Sequence, residues 1–87
     1  MSYEAKIDVF LKEGVSDPEG LTIAEAAKSL EIAPVHRVRS GKSFLVLFDL
    51  ASESETLAAA NKIGLELLSN PVIQDFVISE ITEISGE

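Results

Sequence analysis

The chain has 87 residues, and its fifteen acidic against seven basic side chains give a net charge of −8, a field that excludes nucleic acid and anionic membranes as partners. So short a chain buries only about 60–65% of its unfolded surface, and with 46% hydrophobic residues we expect one domain, residues 1–87 with 84–87 frayed, that oligomerises. Without cysteine, signal peptide or membrane-length apolar run, we expect a soluble, unprocessed, cytoplasmic protein.

The first predicted element is a strand near the N-terminus. Apolar residues alternate there with polar ones, as in a strand that has one buried face. These apolar positions are Tyr3, Ala5, Ile7, Val9 and Leu11. Phe10 interrupts the polar face, and the proline and glycine of residues 17–20 predict a turn that follows the strand.

A helix is predicted next. Thr22 and Glu25 have the spacing of a capping box, in which hydroxyl and carboxylate each accept from a backbone amide at the helix start. Apolar residues then recur at helical spacing, at Ile23, Ala27 and Leu30. Since a proline restricts the residue before it, Pro34 ends the helix, which we expect from about Thr22 to Ile32.

The middle of the chain predicts a β-hairpin. Val35 and Val38 lie in a short first strand, residues 40–42 form the turn, and an apolar run from Phe44 to Leu50 forms the second strand. Alternate residues of that run point to opposite faces, so both faces of the second strand are apolar. Both faces of this strand must therefore pack against other residues.

A second helix and a last strand complete the pattern. Ser52 and Glu55 repeat the capping-box spacing. The apolar side of this helix consists of Leu57, Ala60, Gly64, Leu67 and Leu68. Asn70-Pro71 ends it, and from Val72 the sequence is strand-like again, with a less regular alternation.

The order β-α-β-β-α-β predicts a single-domain ferredoxin-like fold of the α+β class, an antiparallel sheet with two helices on one face. The second sheet face stays open. Its apolar residues would be Phe10, Leu45, Leu47 and Val77. We therefore expect the protein to oligomerise through the sheet.

No self-contained active site is predicted, so we assign no catalytic, cofactor-binding or metal-binding residue. His36 is the only histidine, and nothing in its spacing identifies metal or acid–base partners. The tripeptide at residues 41–43 resembles the end of a phosphate-binding loop but joins two predicted strands. Arg37, Arg39 and Lys42 could meet a partner's carboxylate or phosphate, or form cross-strand salt bridges.

Three segments of the chain carry a family resemblance. They are residues 11–20, with the sequence LKEGVSDPEG, residues 38–42, with VRSGK, and residues 67–76, with LLSNPVIQDF. In order and spacing they resemble the PurS family, the small subunits of phosphoribosylformylglycinamidine (FGAM) synthase. Two positions differ mildly from the family's pattern, Glu19 and Gln74.

The resemblance implies a non-catalytic subunit of an ATP-dependent, glutamine-hydrolysing ligase that converts FGAR to FGAM in purine (IMP) biosynthesis. It implies that homodimers or homotetramers bridge the PurL synthetase and PurQ glutaminase subunits and support ammonia transfer. ATP, Mg²⁺ and glutamine would be used by those partners, with no cofactor in this chain.

Partner contacts are expected at six residues in two of these segments: Arg39, Gly41, Lys42, Asn70, Pro71 and Asp75. The alternative is that the glycine, asparagine and proline merely shape turns.

The alternative function is a free-standing ACT-like regulatory module, which has the same element order and binds a small ligand at a dimer interface. An acylphosphatase would need an arginine-bearing phosphate loop near the first strand, which has no counterpart here. An RNA-binding domain of this topology would need a basic, aromatic sheet face.

Overall fold

The computed structural model describes residues 2–84 of the chain. Its elements are β1 (Ser2–Leu11), α1 (Pro18–Ser29), β2 (Gly41–Phe48), α2 (Glu53–Ile63), a π-helical turn (Gly64–Leu68) and β3 (Gln74–Ile84). Neither helix of the described part has the length and apolar character needed to cross a membrane. The expected fraying of residues 84–87 lies outside the described residues except for Ile84, which pairs with Ser2 in the sheet.

The sheet has three antiparallel strands in the order β2-β1-β3, with β1 in the centre. The predicted alternation of β1 is confirmed, since Ala5, Ile7 and Val9 are buried on one face. Ala60 of α2 completes this small core. Helix α2 therefore covers the sheet over β1 and β3, with which it makes its tertiary contacts.

A β-bulge explains why the alternation along β3 is irregular. The register shifts between Lys6 and Ile7, so that Ile7 faces Ile78 whereas Ala5 faces Ile81, three residues further on rather than two. A bulge inserts one residue into a strand and restores the same face afterwards. Ile78 and Ile81 consequently both pack against the core.

The start of α1 differs from the prediction. The helix begins at Pro18, four residues before Thr22, and its N-cap is Asp17, whose Oδ1 accepts from the Gly20 amide at 3.0 Å. An aspartate cap followed by proline at the first helical position is a favourable helix start. The residues interpreted as a turn therefore begin the helix, while the predicted Ser52 cap of α2 is confirmed by the 3.2 Å bond from the Glu55 amide.

The prediction of a first hairpin strand before residue 40 is wrong. Val35 and Val38 lie in a segment, residues 34–40, that forms no ladder, and β2 begins only at Gly41. The segment is instead held to α1, because the Val38 carbonyl lies against Gly20 so closely that a Cβ there would overlap it. The sheet of the described residues consequently has three strands, not four.

Residues 17–40 form what we call the arm, made of α1 and the segment that returns to β2. Asp17 closes its base, because this carboxylate accepts from the Ser40 amide at 2.7 Å and from the Ser40 hydroxyl at 2.6 Å. Helix α1 has at most marginal contact with the strands. The molecule is accordingly elongated, measuring 49 × 30 × 14 Å.

We expect acid to loosen the arm through Asp17. Its pKa is lowered chiefly by the hydrogen bond from the Ser40 hydroxyl, then by those from the Ser40 and Gly20 amides. Because the folded pKa is below the unfolded value, this stabilisation is present above that value and lost as pH falls through the folded pKa. Protection of the Gly20 and Ser40 amides against hydrogen exchange should fall in that range, and Asp17→Ala should lose it at every pH. Equal protection in variant and wild type would contradict this role.

Candidate partner-contact site

The sheet register brings the two groups of predicted contact residues to one end of the molecule. Phe10, next to the end of β1, is paired with Gly41 of β2 on one side. On its other side it is paired with Asp75 of β3. Because β2 and β3 both run antiparallel to β1, their first residues meet its last ones. We call this region the Phe10 end.

Arg39 is anchored at the Phe10 end by local contacts. Its guanidinium carbon lies 4.7 Å from the centroid of the Phe10 ring, a cation–π distance. Its Nη2 donates to the Leu11 carbonyl at 2.6 Å, and its Nη1 lies 4.0 Å from Glu13 Oε1. The side chain is still 36% exposed, so the guanidinium is oriented and also accessible from outside.

Lys42, by contrast, is an exposed cation with no ion-pair partner among residues 2–84. It borders an open cavity of about 420 Å³, together with Phe10 and Arg39. Asp8 also lines this cavity, and its pKa is lowered chiefly by a hydrogen bond from Ser43. The cavity rim therefore carries both signs of charge.

Arg37 forms a salt bridge within the chain, with Glu13. Its Nη1 and Nη2 donate to the two carboxylate oxygens of Glu13 at 2.9 and 3.1 Å. Two parallel bonds of this kind form a bidentate pair. Arg37 thus fixes the returning segment of the arm to the residues just after β1.

Gly41 has a packing reason to be glycine. A Cβ at this position would lie 2.5 Å from the Val9 carbonyl oxygen and 3.1 Å from the Phe10 Cβ. The first distance is incompatible with the present pairing of β1 and β2, because the Val9 oxygen belongs to the backbone, and the second is a tight contact. The structure thus gives Gly41 a role in strand pairing.

Asn70 and Pro71 occupy the turn before β3. The Asn70 amide donates to Gln74 Oε1 at 2.7 Å, and its side-chain Oδ1 accepts from the Val72 amide at 3.1 Å. An asparagine that bonds the backbone two residues ahead forms an Asx-turn. Both residues are exposed, so the turn-shaping role leaves their outer surfaces accessible.

Asp75 forms an ion pair across the end of the sheet. Its Oδ1 lies 3.6 Å from Lys12 Nζ, and both side chains are about half exposed. The pair borders a second cavity, of about 200 Å³, with Pro71 and Leu65 on its wall. Exposed pairs of this type contribute little stability, so a partner could replace either contact at small cost.

Three residues of the Phe10 end were not predicted from the sequence to belong to one site. They are Phe10, Lys12 and Glu13. Only the strand register shows that Phe10 separates the basic group from Asp75. The interruption of the polar face by Phe10 was the available signal. Residues 2–84 hold no cluster of three or more side chains suited to a metal ion. The Phe10 end instead presents charged side chains around an aromatic ring, which is a surface suited to protein contact.

Similarity to known proteins covers nearly the whole chain. The family model PurS, described as phosphoribosylformylglycinamidine (FGAM) synthase, matches residues 4–82. The chain belongs to the PurS family. The family predicted from the three segments is therefore confirmed, and with it the interpretation as a subunit of FGAM synthase rather than an ACT-like module.

Curated PurS relatives come from archaea and bacteria. The PurS subunit of Methanocaldococcus jannaschii is 33% identical over 76 residues, which are 87% of this chain and 92% of the relative. The PurS subunit of Bacillus subtilis is 34% identical over 74 residues, which are 85% of this chain and 87% of the relative. FGAM synthase is an ATP-dependent, glutamine-hydrolysing ligase, so the predicted enzyme class is confirmed at the level of the complex.

Solved PurS structures confirm the predicted α+β class with an antiparallel sheet and two helices. The predicted packing of both helices on one sheet face is wrong for α1, which has at most marginal contact with the strands. Thermus thermophilus PurS matches with a TM-score of 0.89 and 31% identity, over 97% of this chain and 99% of that one. M. jannaschii PurS matches with a TM-score of 0.79 and 32% identity, over 94% and 98%. This chain therefore has the fold of these solved PurS structures.

We expect Gly41→Ala to destabilise the protein, because the added methyl overlaps the Val9 carbonyl and separates β1 from β2. Overpacking of this type costs about 1–3 kcal/mol. Urea denaturation followed by circular dichroism measures it. The neighbouring Lys42→Ala, in an exposed side chain, should change stability by less than about 0.5 kcal/mol. Wild-type stability of Gly41→Ala would show that the strand pairing does not need glycine.

Proposed function

We propose that this chain bridges the PurL synthetase and PurQ glutaminase subunits of FGAM synthase. In this role it supports the passage of ammonia in the ATP- and glutamine-dependent conversion of FGAR to FGAM, in de novo purine (IMP) biosynthesis. The observation that carries the proposal is the match to the Thermotoga maritima PurLQS structure, at a TM-score of 0.80 over 97% of this chain, with 28% identity. That protein is a complex of PurL, PurQ and PurS.

The chemistry of the proposed role lies between the partners. Ammonia released into water is protonated and stops being a nucleophile, so a transfer path must exclude water. A bridging subunit contributes by holding the two active sites in register, which requires docking surfaces. ATP, Mg²⁺ and glutamine belong to the partner subunits in this scheme, with no cofactor held by this chain.

We further propose that the Phe10 end is the docking surface for these partners. Its exposed charges are Lys42 and Arg39 on one side of Phe10 and Asp75 on the other. Gly41, Asn70 and Pro71 give the surface its shape through the strand start and the turn. Exposed charges of both signs favour a specific orientation of the partner over tight binding.

Self-association is also part of the proposal, as a homodimer or homotetramer. The sheet face opposite α2 exposes Leu45, Leu47 and Val77, and apolar patches of this kind mark interaction sites. We treat residues 1–87 as a single PurS-like domain, because the family match spans 4–82. A cytoplasmic location is proposed from membership in a purine-biosynthetic enzyme.

The test compares two nitrogen sources. We expect glutamine-dependent FGAM formation by purified PurL and PurQ subunits to require this chain. Formation from added ammonium salt by the PurL subunit should proceed without it, because no transfer between subunits is then needed. Equal glutamine-dependent rates with and without the chain would refute the bridging role.

We expect Lys42→Glu to weaken docking, since it replaces an exposed cation at the Phe10 end by an anion. A charge reversal that adds like-charge repulsion costs on the order of tenfold in affinity. The matched control is Lys62→Glu, an exposed lysine in the last turn of α2 with the same charge change. Analytical ultracentrifugation of the ternary complex with ADP and glutamine measures both. Equal weakening by the two variants would indicate a net-charge effect and not a docking residue.

A further inference from the structure

The five lysines of the chain differ in how their charge is used. Two lie beside a carboxylate, and two lie in the last turn of a helix, where a cation complements the helix dipole. These four are Lys6 beside Asp8, Lys12 beside Asp75, Lys28 in α1 and Lys62 in α2. Lys42 is exposed at the start of β2 and forms no ion pair within residues 2–84. Its charge therefore has no evident role in holding the described chain together.

Arg39 also keeps hydrogen-bond donors for a group outside the chain. A guanidinium has five N–H donors in one plane. One of them donates to the Leu11 carbonyl, and the Phe10 ring fixes the orientation of the group. Glu13 lies 4.0 Å away, which exceeds a hydrogen-bond distance, and Arg37 already donates to both of its carboxylate oxygens. The fold thus orients the Arg39 guanidinium, and within residues 2–84 no carboxylate is hydrogen-bonded to it.

The cavity of about 420 Å³ at the Phe10 end brings these two cations together. Its third ionisable side chain is Asp8, whose pKa is lowered chiefly by a hydrogen bond from Ser43, so this carboxylate is charged at neutral pH. The cavity wall thus carries two positive charges and one negative charge. One net positive charge suits a group with a single negative charge, such as a carboxylate. A phosphate dianion would be repelled more strongly by Asp8.

We propose that this cavity receives an aspartate or glutamate side chain of a partner subunit, with Arg39 donating hydrogen bonds to the carboxylate and Lys42 adding its charge. The inference rests on the proposed bridging function and names the chemistry by which a partner recognises the Phe10 end. An arginine fork holds a carboxylate in a defined orientation, whereas a lysine acts as a point charge. Arg39 therefore sets the orientation of the docked group, and Lys42 strengthens its binding.

A protein side chain is favoured over a free acid because both cations are exposed to water. Exposed ion pairs contribute little free energy, so a small acid in solution gains little from this cavity. A carboxylate carried by a docked subunit is held beside the cavity by the rest of the interface, which raises its effective concentration there. The net charge of −8 repels acidic groups elsewhere on the surface, so the cavity favours one orientation of an acidic partner segment.

A zero-length crosslinker tests the contact directly. A carbodiimide activates a carboxylate, and a lysine amine in contact with that carboxylate then displaces the activating group and forms an amide. The complex of this chain with PurL and PurQ, assembled with ADP and glutamine, is treated and digested, and mass spectrometry identifies the joined peptides. We expect Lys42 to be joined to an aspartate or glutamate of a partner. Lys28 and Lys62, which are exposed and lie outside the Phe10 end, should give little such product.

Lys42→Arg is the matched control variant, because it keeps the positive charge and removes the reactive amine. It should retain assembly of the complex and lose the crosslinked product. Equal coupling of Lys28, Lys42 and Lys62 would overturn the proposal. A complex in which Lys42 is joined to no partner carboxylate would overturn it as well.

Substitutions that separate geometry from charge give a second test. We expect Arg39→Lys to weaken assembly nearly as much as Arg39→Gln, by roughly tenfold, because lysine keeps the charge and loses the fork. Lys42→Gln should weaken assembly and reduce its dependence on salt, while Lys42→Arg changes neither. Urea denaturation of each isolated chain checks that folding is retained. Wild-type affinity and salt dependence in Lys42→Gln would contradict the proposal.

These outcomes separate the inference from the proposed function. If glutamine-dependent turnover requires the chain while Lys42 is joined to no partner carboxylate, the bridging role stands and the inference fails. If Lys42 is joined to a partner while turnover is independent of the chain, the docking contact stands and the bridging role fails. If no complex forms, both fail. Saturable binding of inorganic phosphate to the isolated chain, abolished by Lys42→Gln, would assign the cavity to a small anion and overturn the inference.

Discussion

The pairing of β1 with both of its neighbours is the interaction on which the rest of the structure depends. Strands β2 and β3 contact each other only through β1, and the three buried apolar residues of the sheet are all in β1. The same register that joins Ile7 to Phe44 and Ile78 also places Phe10 between Gly41 and Asp75. The core and the Phe10 end are therefore two consequences of one alignment, and a slip of one residue would destroy both.

The small core explains why so many large apolar side chains of the molecule are exposed. Only four apolar residues are buried among those described, and one of them is Ala60. The chain exposes 6089 Å², roughly 1,000 Å² more than a compact chain of 9.3 kDa, and the apolar part of that excess does not contribute the stabilisation of about 25 cal/mol per Å² that burial gives. A subunit of a complex can bury such apolar surface at its interfaces and gain the corresponding free energy there.

Elements with regular periodicity could be predicted from sequence, and elements defined by tertiary contact could not. The alternation of β1 and the Ser52 cap belong to the first kind, because a strand face and a capping hydroxyl depend on nearby residues. Asp17 could have been identified as a helix cap, but Asp-Pro is equally typical of turns. Val35 and Val38 have strand propensity, which is overridden because their segment lies against α1 and beyond the reach of β1.

The candidate site was predictable as a set of segments and not as a geometry. Resemblance to a family identified residues at 38–42 and 67–76, but the strand register alone shows that both flank Phe10. The side-chain contacts show in addition that Arg37 is paired with Glu13, whereas Lys42 forms no ion pair within residues 2–84. Of two cations five residues apart, only the uncommitted one can give its full charge to a partner, because the other would first have to break a bidentate pair. The proposed division between residues that hold the arm, such as Arg37, and residues that dock a partner, such as Lys42, rests on that difference.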